Sequence, residues 1–551
     1  MKHYLLTFLQ IFIIGFFANS QTTVGLIQHN EGTLDDGYVL FAPQTSSTTY
    51  LIDKCGKKVK TWESTYRPGL SCYLLEDGSL LRTGVVASPT FASGGHGGVI
   101  QKFDWDGNLT WTYFISDAIN WQHHDIKALP NGNVLAIAWE SKTNTQAIAN
   151  GRNPQLVPST VWSEQILEIQ PTSATEGTVV WEWHLWDHLI QDFDNTKPNF
   201  GVVSNNPQLM NINFNASATN SDWIHLNSID YNSTLDQILL SSRTLDEIWI
   251  IDHSTTSEEA ASHTGGNSGK GGDLLYRWGN SLTYNVATNT QFFGQHNAQW
   301  IKEGLPYENQ IMVFNNGNGR PGGNYSTIEI INPPLNGYNY NASLPYLPEA
   351  PSWIYNAGNP NNFYAALTSG CQQLSNGNVL FCQGPKGTFR EITNSGTTIW
   401  VYINPVTANG ILDQGAVVAG NSVFRCTFYP SNFPGFNNQI LTPSTIIENV
   451  NSVSNTCILS LSNENLSMDA SSLLVYPNPA KESLKIEILN QNTEKIDVEI
   501  TDLLGKIVQS ETLIKENGVF DLIPNKLLNG YYTLTISSNH SVYQKKILIS
   551  N

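Results

Sequence analysis

Between residues 70 and 440 the chain repeats one phrase: a short apolar strand, a tight polar turn, and a second apolar strand. The copies are Cys72–Leu81 around Asp77-Gly78, Ile126–Leu135 around Asn131-Gly132 and Cys371–Leu380 around Asn376-Gly377, with a longer-turned variant at Ile229–Ile238. Asp-Gly and Asn-Gly accept the positive φ angles of tight hairpin turns, so each phrase predicts a β-hairpin. A second hairpin follows several copies and ends on tryptophan, at Trp111, at Trp181 and Trp183, and at Trp400. Two hairpins make a four-stranded sheet, and radial repetition of such sheets protects their edges. The pattern predicts an all-β fold, a six-bladed β-propeller over residues 21–450. Its inner hairpins fall near 40–52, 72–84, 124–138, 225–242, 296–315 and 370–382, and a segment near 413–428 closes the ring with an N-terminal strand. A pair of β-sandwiches is the structural alternative.

The two ends read differently. Lys2 and His3, the apolar run Tyr4–Phe17 and the small residues Ala18-Asn19-Ser20 have the form of a signal peptide over residues 1–20. The run is shorter than the roughly 20 residues of a spanning helix, and no second run of that length follows, so no transmembrane anchor is expected after its removal. Residues 451–472 form a Ser/Asn-rich linker. From residue 473 to 551 short alternating segments, including Leu484–Ile488 and Val498–Thr501, predict a small β-sandwich.

Charge narrows the partners. A formal net charge of -18 repels phosphate backbones, which argues against nucleic acid, and any anionic substrate needs a local cationic cluster. The six cysteines of an exported chain favour disulfides over metal, and no Cys-x-x-Cys occurs. If Ser375 faces Asn378 across the turn, Cys371 stands opposite Cys382, so a Cys371–Cys382 disulfide is expected. Cys55 with Cys72 and Cys426 with Cys457 would complete the set by proximity.

Three histidines stand where inner hairpins begin: His124 before Asp125, His225 before Leu226, and His296 before Asn297. First strands of propeller blades line the axis, so these residues converge on one funnel. Arg243, one strand after His225, points to the same place. Three imidazoles and a guanidinium suit a tetrahedral oxyanion, because Arg binds its oxygens bidentately and His donates hydrogen bonds or moves protons. His96, flanked by glycines, reads as part of a flexible connection outside the site.

These segments carry a resemblance. His123-His124-Asp125, Ile224–Ser228, Ser242-Arg243, Gly272–Asn280, Gln295–Ala298 and Val313–Arg320 resemble, in order, segments of the PAPS-independent aryl-sulfate sulfotransferase family. The resemblance implies that His296 takes the sulfuryl group covalently, that His124, His225 and Arg243 hold sulfate oxygens or handle protons, and that Asn227 contacts sulfate. It implies an enzyme moving a sulfuryl group from an aryl sulfate donor to a phenolic acceptor by a ping-pong route, with no cofactor and no metal. A Gly-rich phosphate loop is missing from the sequence: the Asn315–Gly319 run ends in Arg320 without Lys-Ser/Thr. The C-terminal module, with Tyr476-Pro477-Asn478-Pro479, Asp502-Leu503-Leu504-Gly505 and Lys545–Ile549, resembles the type A sorting domain of type IX secretion cargo. This implies recognition by that secretion machinery and a secreted or cell-surface location. The competing functions are a non-catalytic surface propeller binding a glycan or protein, and a quinoprotein dehydrogenase, for which converging carboxylates of a Ca²⁺ site are not found.

Overall fold

The computed structural model describes residues 23–449, 457 and 473–550, apart from short interruptions at 31, 89, 288–289, 342, 359–362, 489–493, 503–506, 517, 525–526 and 539–540. The signal peptide and, apart from Cys457, the linker lie outside the described residues. The chain divides into two compact units, 1–458 and 459–551.

Among the described residues six antiparallel sheets of four or five strands follow one another in the first unit. Blade I holds Gly37–Pro43, Thr48–Asp53 and Lys58–Glu63, with Val423–Pro430 paired inside them. Blade II is Pro68–Leu74, Leu80–Val85, Gly98–Phe103 and Leu109–Phe114. Blade III is Asn120–Ala128, Val134–Thr143, Thr160–Ser173 and Glu176–His184. Blade IV is Leu226–Asn232, Gln237–Ser242, Glu247–Asp252 and Tyr276–Trp278. Blade V is His296–Trp300, Ile311–Asn315, Thr327–Ile331 and Trp353–Tyr355. Blade VI is Gly370–Gln373, Val379–Gln383, Thr388–Ile392 and Thr398–Ile403, with Gly25–His29 added outside. The innermost strands touch in cyclic order, II to III, IV, V, VI, then Val423–Pro430 and back to II, which is an architecture of the propeller type. In blade I the hairpin near residues 40–52 forms the second and third strands, because Val423–Pro430 takes the inner place.

The outer tryptophans explain the second part of the repeat. Trp62 donates its indole N–H to the Asp104 carbonyl in the next blade, Trp111 to Glu176, Trp183 to Gly272, Trp278 to Pro348 and Trp400 to Lys54. Each ring fills the seam between neighbouring blades while its one polar atom finds a backbone acceptor. The core accordingly runs through the seams as clusters that mix residues of adjacent blades.

The cysteines pair otherwise than the sequence suggests. The disulfide joins Cys55 to Cys457, while Cys72, Cys371, Cys382 and Cys426 are buried free thiols. The Cys371–Cys382 expectation fails on register: Leu374, not Ser375, pairs with Asn378, leaving a three-residue turn with Gly377 at φ +87°. Cys371 therefore faces Phe381 and Cys382 faces Gly370, and a one-residue slip sends the two thiols to opposite faces of the sheet.

In the second unit, a three-stranded and a four-stranded antiparallel sheet share one apolar core containing Leu484, Ile486, Val498, Ile500, Leu534, Ile536 and Ile547. Asn478 of the Tyr-Pro-Asn-Pro motif donates to the Lys546 carbonyl and accepts from the Leu548 N–H, which ties the motif to the final strand. Among the described residues no helix is long and apolar enough to cross a membrane.

Candidate active site

The first strands of blades II to V each carry a register shift, and at or beside it a non-glycine residue adopts positive φ: Leu70 at 96°, His124 at 51°, His225, just before its strand, at 54° and Asn297 at 54°. Left-handed backbone costs a non-glycine residue on the order of 1 kcal/mol or more, and such strain gathers at functional sites. The three histidines do not share one register. His124 and His225 occupy the left-handed position themselves, whereas in blade V that position belongs to Asn297 and His296 precedes it.

The structure nevertheless brings them together. The rings of His124 and His225 meet edge to face with centroids 4.6 Å apart, and the Phe424 ring lies 6.2 Å from His124 and 6.5 Å from His296. Arg243 directly follows the second strand of blade IV and donates its backbone N–H to the His225 carbonyl. Its guanidinium lies beside Gly294, close enough to His124 and His296 to disfavour a positive charge on either. Among the described residues this guanidinium makes no ion pair, so the cluster holds a cation with hydrogen-bonding capacity to spare.

Each imidazole is oriented by a partner. Nδ1 of His296 lies 2.8 Å from Oδ1 of Asn316 and 3.0 Å from the Gly294 carbonyl, and both of these accept. The Asn316 amide is itself fixed, because its nitrogen donates to the carbonyls of Ala365 and Thr368. Nδ1 of His296 therefore carries the proton, and Nε2 keeps its lone pair. Burial, reinforced by Arg243, lowers the His296 pKa to about 3, so the ring is neutral at ordinary pH. Nδ1 of His225 lies 2.5 Å from Asp222, whose carboxylate also accepts from the Ser93 hydroxyl. Burial opposes ionisation of Asp222, yet His225 and these hydrogen bonds hold its pKa below the usual carboxylate value. Asn227 is buried and donates to the Gln295 carbonyl next to His296, leaving its second amide N–H for another acceptor.

Asp125, the carboxylate adjacent to His124 in sequence, does not serve the histidines. It pairs with Arg425 at 2.6 Å and accepts from the Tyr73 hydroxyl. Nor is the Gly94–Gly98 loop a loose connection. The Gly95 carbonyl accepts from the His124 N–H, and a Cβ on Gly95 would lie 1.9 Å from the His124 ring. Sequence reasoning missed Asp222, Phe424 and Asn316. The first stands three residues before His225, the second on the closing strand, and the third inside the Val313–Arg320 segment.

A cavity of about 730 Å³ lies elsewhere, lined by Tyr73, Lys127, Asn131, Lys302 and Arg425 among others; none of His124, His225, Arg243 and His296 faces it. Neighbouring residues divide between the two places. Phe424 meets the histidines while Arg425 lines the cavity, and His296 joins the cluster while Asn297 lines the cavity.

The sequence of the first unit matches the family model described as arylsulfotransferase (ASST) over residues 46–411, about two thirds of the chain. The chain belongs to the arylsulfotransferase family. It is thus an enzyme of sulfur-group transfer, and its histidine cluster falls within the matched region. Residues 474–550 match the secretion system C-terminal sorting domain, so this arylsulfotransferase is cargo of type IX secretion, exported to the cell surface or beyond. No curated protein matches the chain. Among solved structures, a protein of unknown function from Bacteroides caccae is similar at 12% identity and TM-score 0.38, over 67% of this chain and 95% of its own. A putative 6-phosphogluconolactonase from Bacteroides fragilis is similar at 11% identity and TM-score 0.36, over 72% and 99%. The periplasmic gluconolactonase of Pseudomonas aeruginosa is similar at 11% identity and TM-score 0.35, over 71% and 98%.

Proposed function

We propose that this arylsulfotransferase, built as a six-bladed propeller, moves a sulfuryl group from an aryl sulfate to a phenolic acceptor in two steps through a sulfohistidine at His296. The observation that carries the reading is the fixed tautomer of His296: Nδ1–H is held by Asn316 and Gly294, which presents the Nε2 lone pair as nucleophile. Attack of Nε2 on sulfur breaks the bond to the phenol oxygen, and an acceptor phenol oxygen then displaces Nε2 to restore the free histidine. Arg243, which forms no ion pair among the described residues, stabilises the negative oxygens around sulfur. His225 backed by Asp222, and His124, hydrogen-bond these oxygens and exchange protons with the phenols, while the free N–H of Asn227 supplies one further donor. Phe424 offers its ring to the aryl group between His124 and His296. No nucleotide takes part.

The test incubates the purified protein with 4-nitrophenyl sulfate and phenol and follows nitrophenol release together with phenyl sulfate formation. Release that requires phenol, with retained ping-pong kinetics, supports the reading. A folded protein that transfers nothing to any phenol in a donor and acceptor panel overturns it.

A further inference from the structure

Behind His124 stands a second histidine that the two-step transfer does not use. His123 is fully buried and stacks on Trp139 with ring centroids 4.0 Å apart and planes 8° from parallel. Its Nδ1 lies 2.9 Å from Nδ1 of His124, and its Nε2 lies 2.8 Å from Oε2 of Glu164, also fully buried. The other oxygen of Glu164 accepts the backbone N–H of Leu226 at 3.0 Å. Three titratable groups thus form an unbranched chain ending at His124, whose ring meets that of His225 edge to face.

We propose that Glu164, His123 and His124 are a buried proton relay that carries a proton between Glu164 and the phenol oxygen at Nε2 of His124 without forming an imidazolium. This rests on the transfer reading of the site given above. Before transfer Glu164 carries its proton on Oε2 and donates to Nε2 of His123. Nδ1–H of His123 donates to Nδ1 of His124, and Nε2–H of His124 faces the departing oxygen. When the bond between sulfur and the phenol oxygen breaks, that oxygen takes the Nε2 proton, His124 takes the Nδ1 proton of His123, and His123 takes the Glu164 proton on Nε2. Three protons shift by one position each, both rings exchange tautomers, and the products are a neutral phenol and a Glu164 carboxylate. The acceptor phenol reverses the sequence in the second step and returns the proton to Glu164.

The surroundings favour this route over an ordinary imidazolium acid. Burial, then His225, His123, His296 and Arg243, holds the His124 pKa well below the usual histidine value, and burial lowers that of His123 to about 3 despite the nearby Asp222. A cation on either ring is therefore costly. Burial pushes the Glu164 carboxyl well above its usual range, and Asp222 adds to this against the opposing Leu226 N–H and His225, which makes Glu164 the member of the chain whose surroundings favour holding a proton. The sequence conceals the relay because Glu164 is 41 residues from His123, on the third strand of the same blade.

The test compares the full-length mature protein with Glu164→Gln, which keeps the acceptor for Leu226 and cannot pass a proton. In single turnovers with donor alone, which leave out the acceptor step that both donors share, phenyl sulfate, whose leaving group needs protonation, should slow on the order of 10²-fold or more, whereas 4-nitrophenyl sulfate, whose leaving group departs as the anion, should slow less than about 10-fold. Unfolding midpoints of both proteins establish that the variant is folded. Equal slowing of both donors, the mark of a merely positional role, or no slowing of either overturns the relay. On the unmodified protein, the rate with phenyl sulfate in mixtures of H₂O and D₂O should bow downward as several protons move; a straight line overturns the concerted relay. Wild-type protein inactive with both donors instead overturns the transfer reading, which separates the two failures.

Discussion

Oδ1 of Asn316 lies 2.8 Å from Nδ1 of His296, and this contact within one blade sets which nitrogen of the ring carries the proton. Replacing Asn316 with Ala removes the stronger acceptor but leaves the Gly294 carbonyl at 3.0 Å, so the favoured tautomer is weakened rather than lost. Outer partners of this kind commonly contribute about 10- to 100-fold. The expected result is a fall of that size in the single-turnover rate of His296 labelling, with the KM for donor little changed.

His296→Asn should abolish both transfer and labelling, since no neighbour can form the bond in its place. His225→Asn should slow transfer on the order of 10²- to 10³-fold while a sulfuryl adduct still accumulates on the His296 peptide. Rapid quench with donor alone, followed by peptide mass measurement, separates these outcomes. A fully active His296→Asn protein excludes the sulfohistidine.

Gly95 combines φ +90° with a Cβ position 1.9 Å from the His124 ring. Gly95→Ala should therefore push that imidazole out of place, costing roughly 1 kcal/mol in backbone strain and a disproportionate share of activity. Paired measurements of the unfolding midpoint and of kcat decide this. Activity and stability falling in step would show that the glycine matters only for folding.

Stability should decline on both sides of neutrality. His123 and His296 have folded pKa values near 3, so from pH 6.5 down to about 3 the unfolded chain binds protons the folded chain refuses, and stability falls with falling pH. His253 has the opposite sign. Burial alone would lower its pKa, but hydrogen bonds to Asp236 and Glu168 raise it to about 9; its contribution is complete below pH 6.5 and is lost as pH rises through 9. Urea midpoints across pH should trace both limbs, and His253→Gln should flatten the alkaline one.

Non-reduced peptide mapping should recover Cys55 joined to Cys457, with Cys72, Cys371, Cys382 and Cys426 alkylated only after denaturation. The bridge closes a loop over a sequence separation of 402. Reduction should lower the unfolding midpoint, in keeping with the 2–4 kcal/mol typical of a native bridge.

The sheets were legible because their signals are local: Asn131-Gly132 and Asn376-Gly377 mark hairpins within a few residues, and Trp111 or Trp400 marks an outer strand. Residues at the head of inner strands could be found the same way, which is why His124, His225 and His296 stand out. What stayed hidden depends on contacts between strands. Asn316 acts on a residue 20 positions away, and Phe424 arrives on a strand that inserts into the first blade. Loop length hid the register at Cys371, where one residue more or fewer in the turn reverses the face.

The insertion of Val423–Pro430 into blade I makes the circle depend on a strand from the far end of the unit. A chain ending before residue 423 has the strands of five complete sheets, yet it lacks Phe424 and the strand that seals the circle. A chain cut before residue 423 thus cannot set Phe424 beside His124 and His296, and the circle of inner strands stays open between blades VI and II.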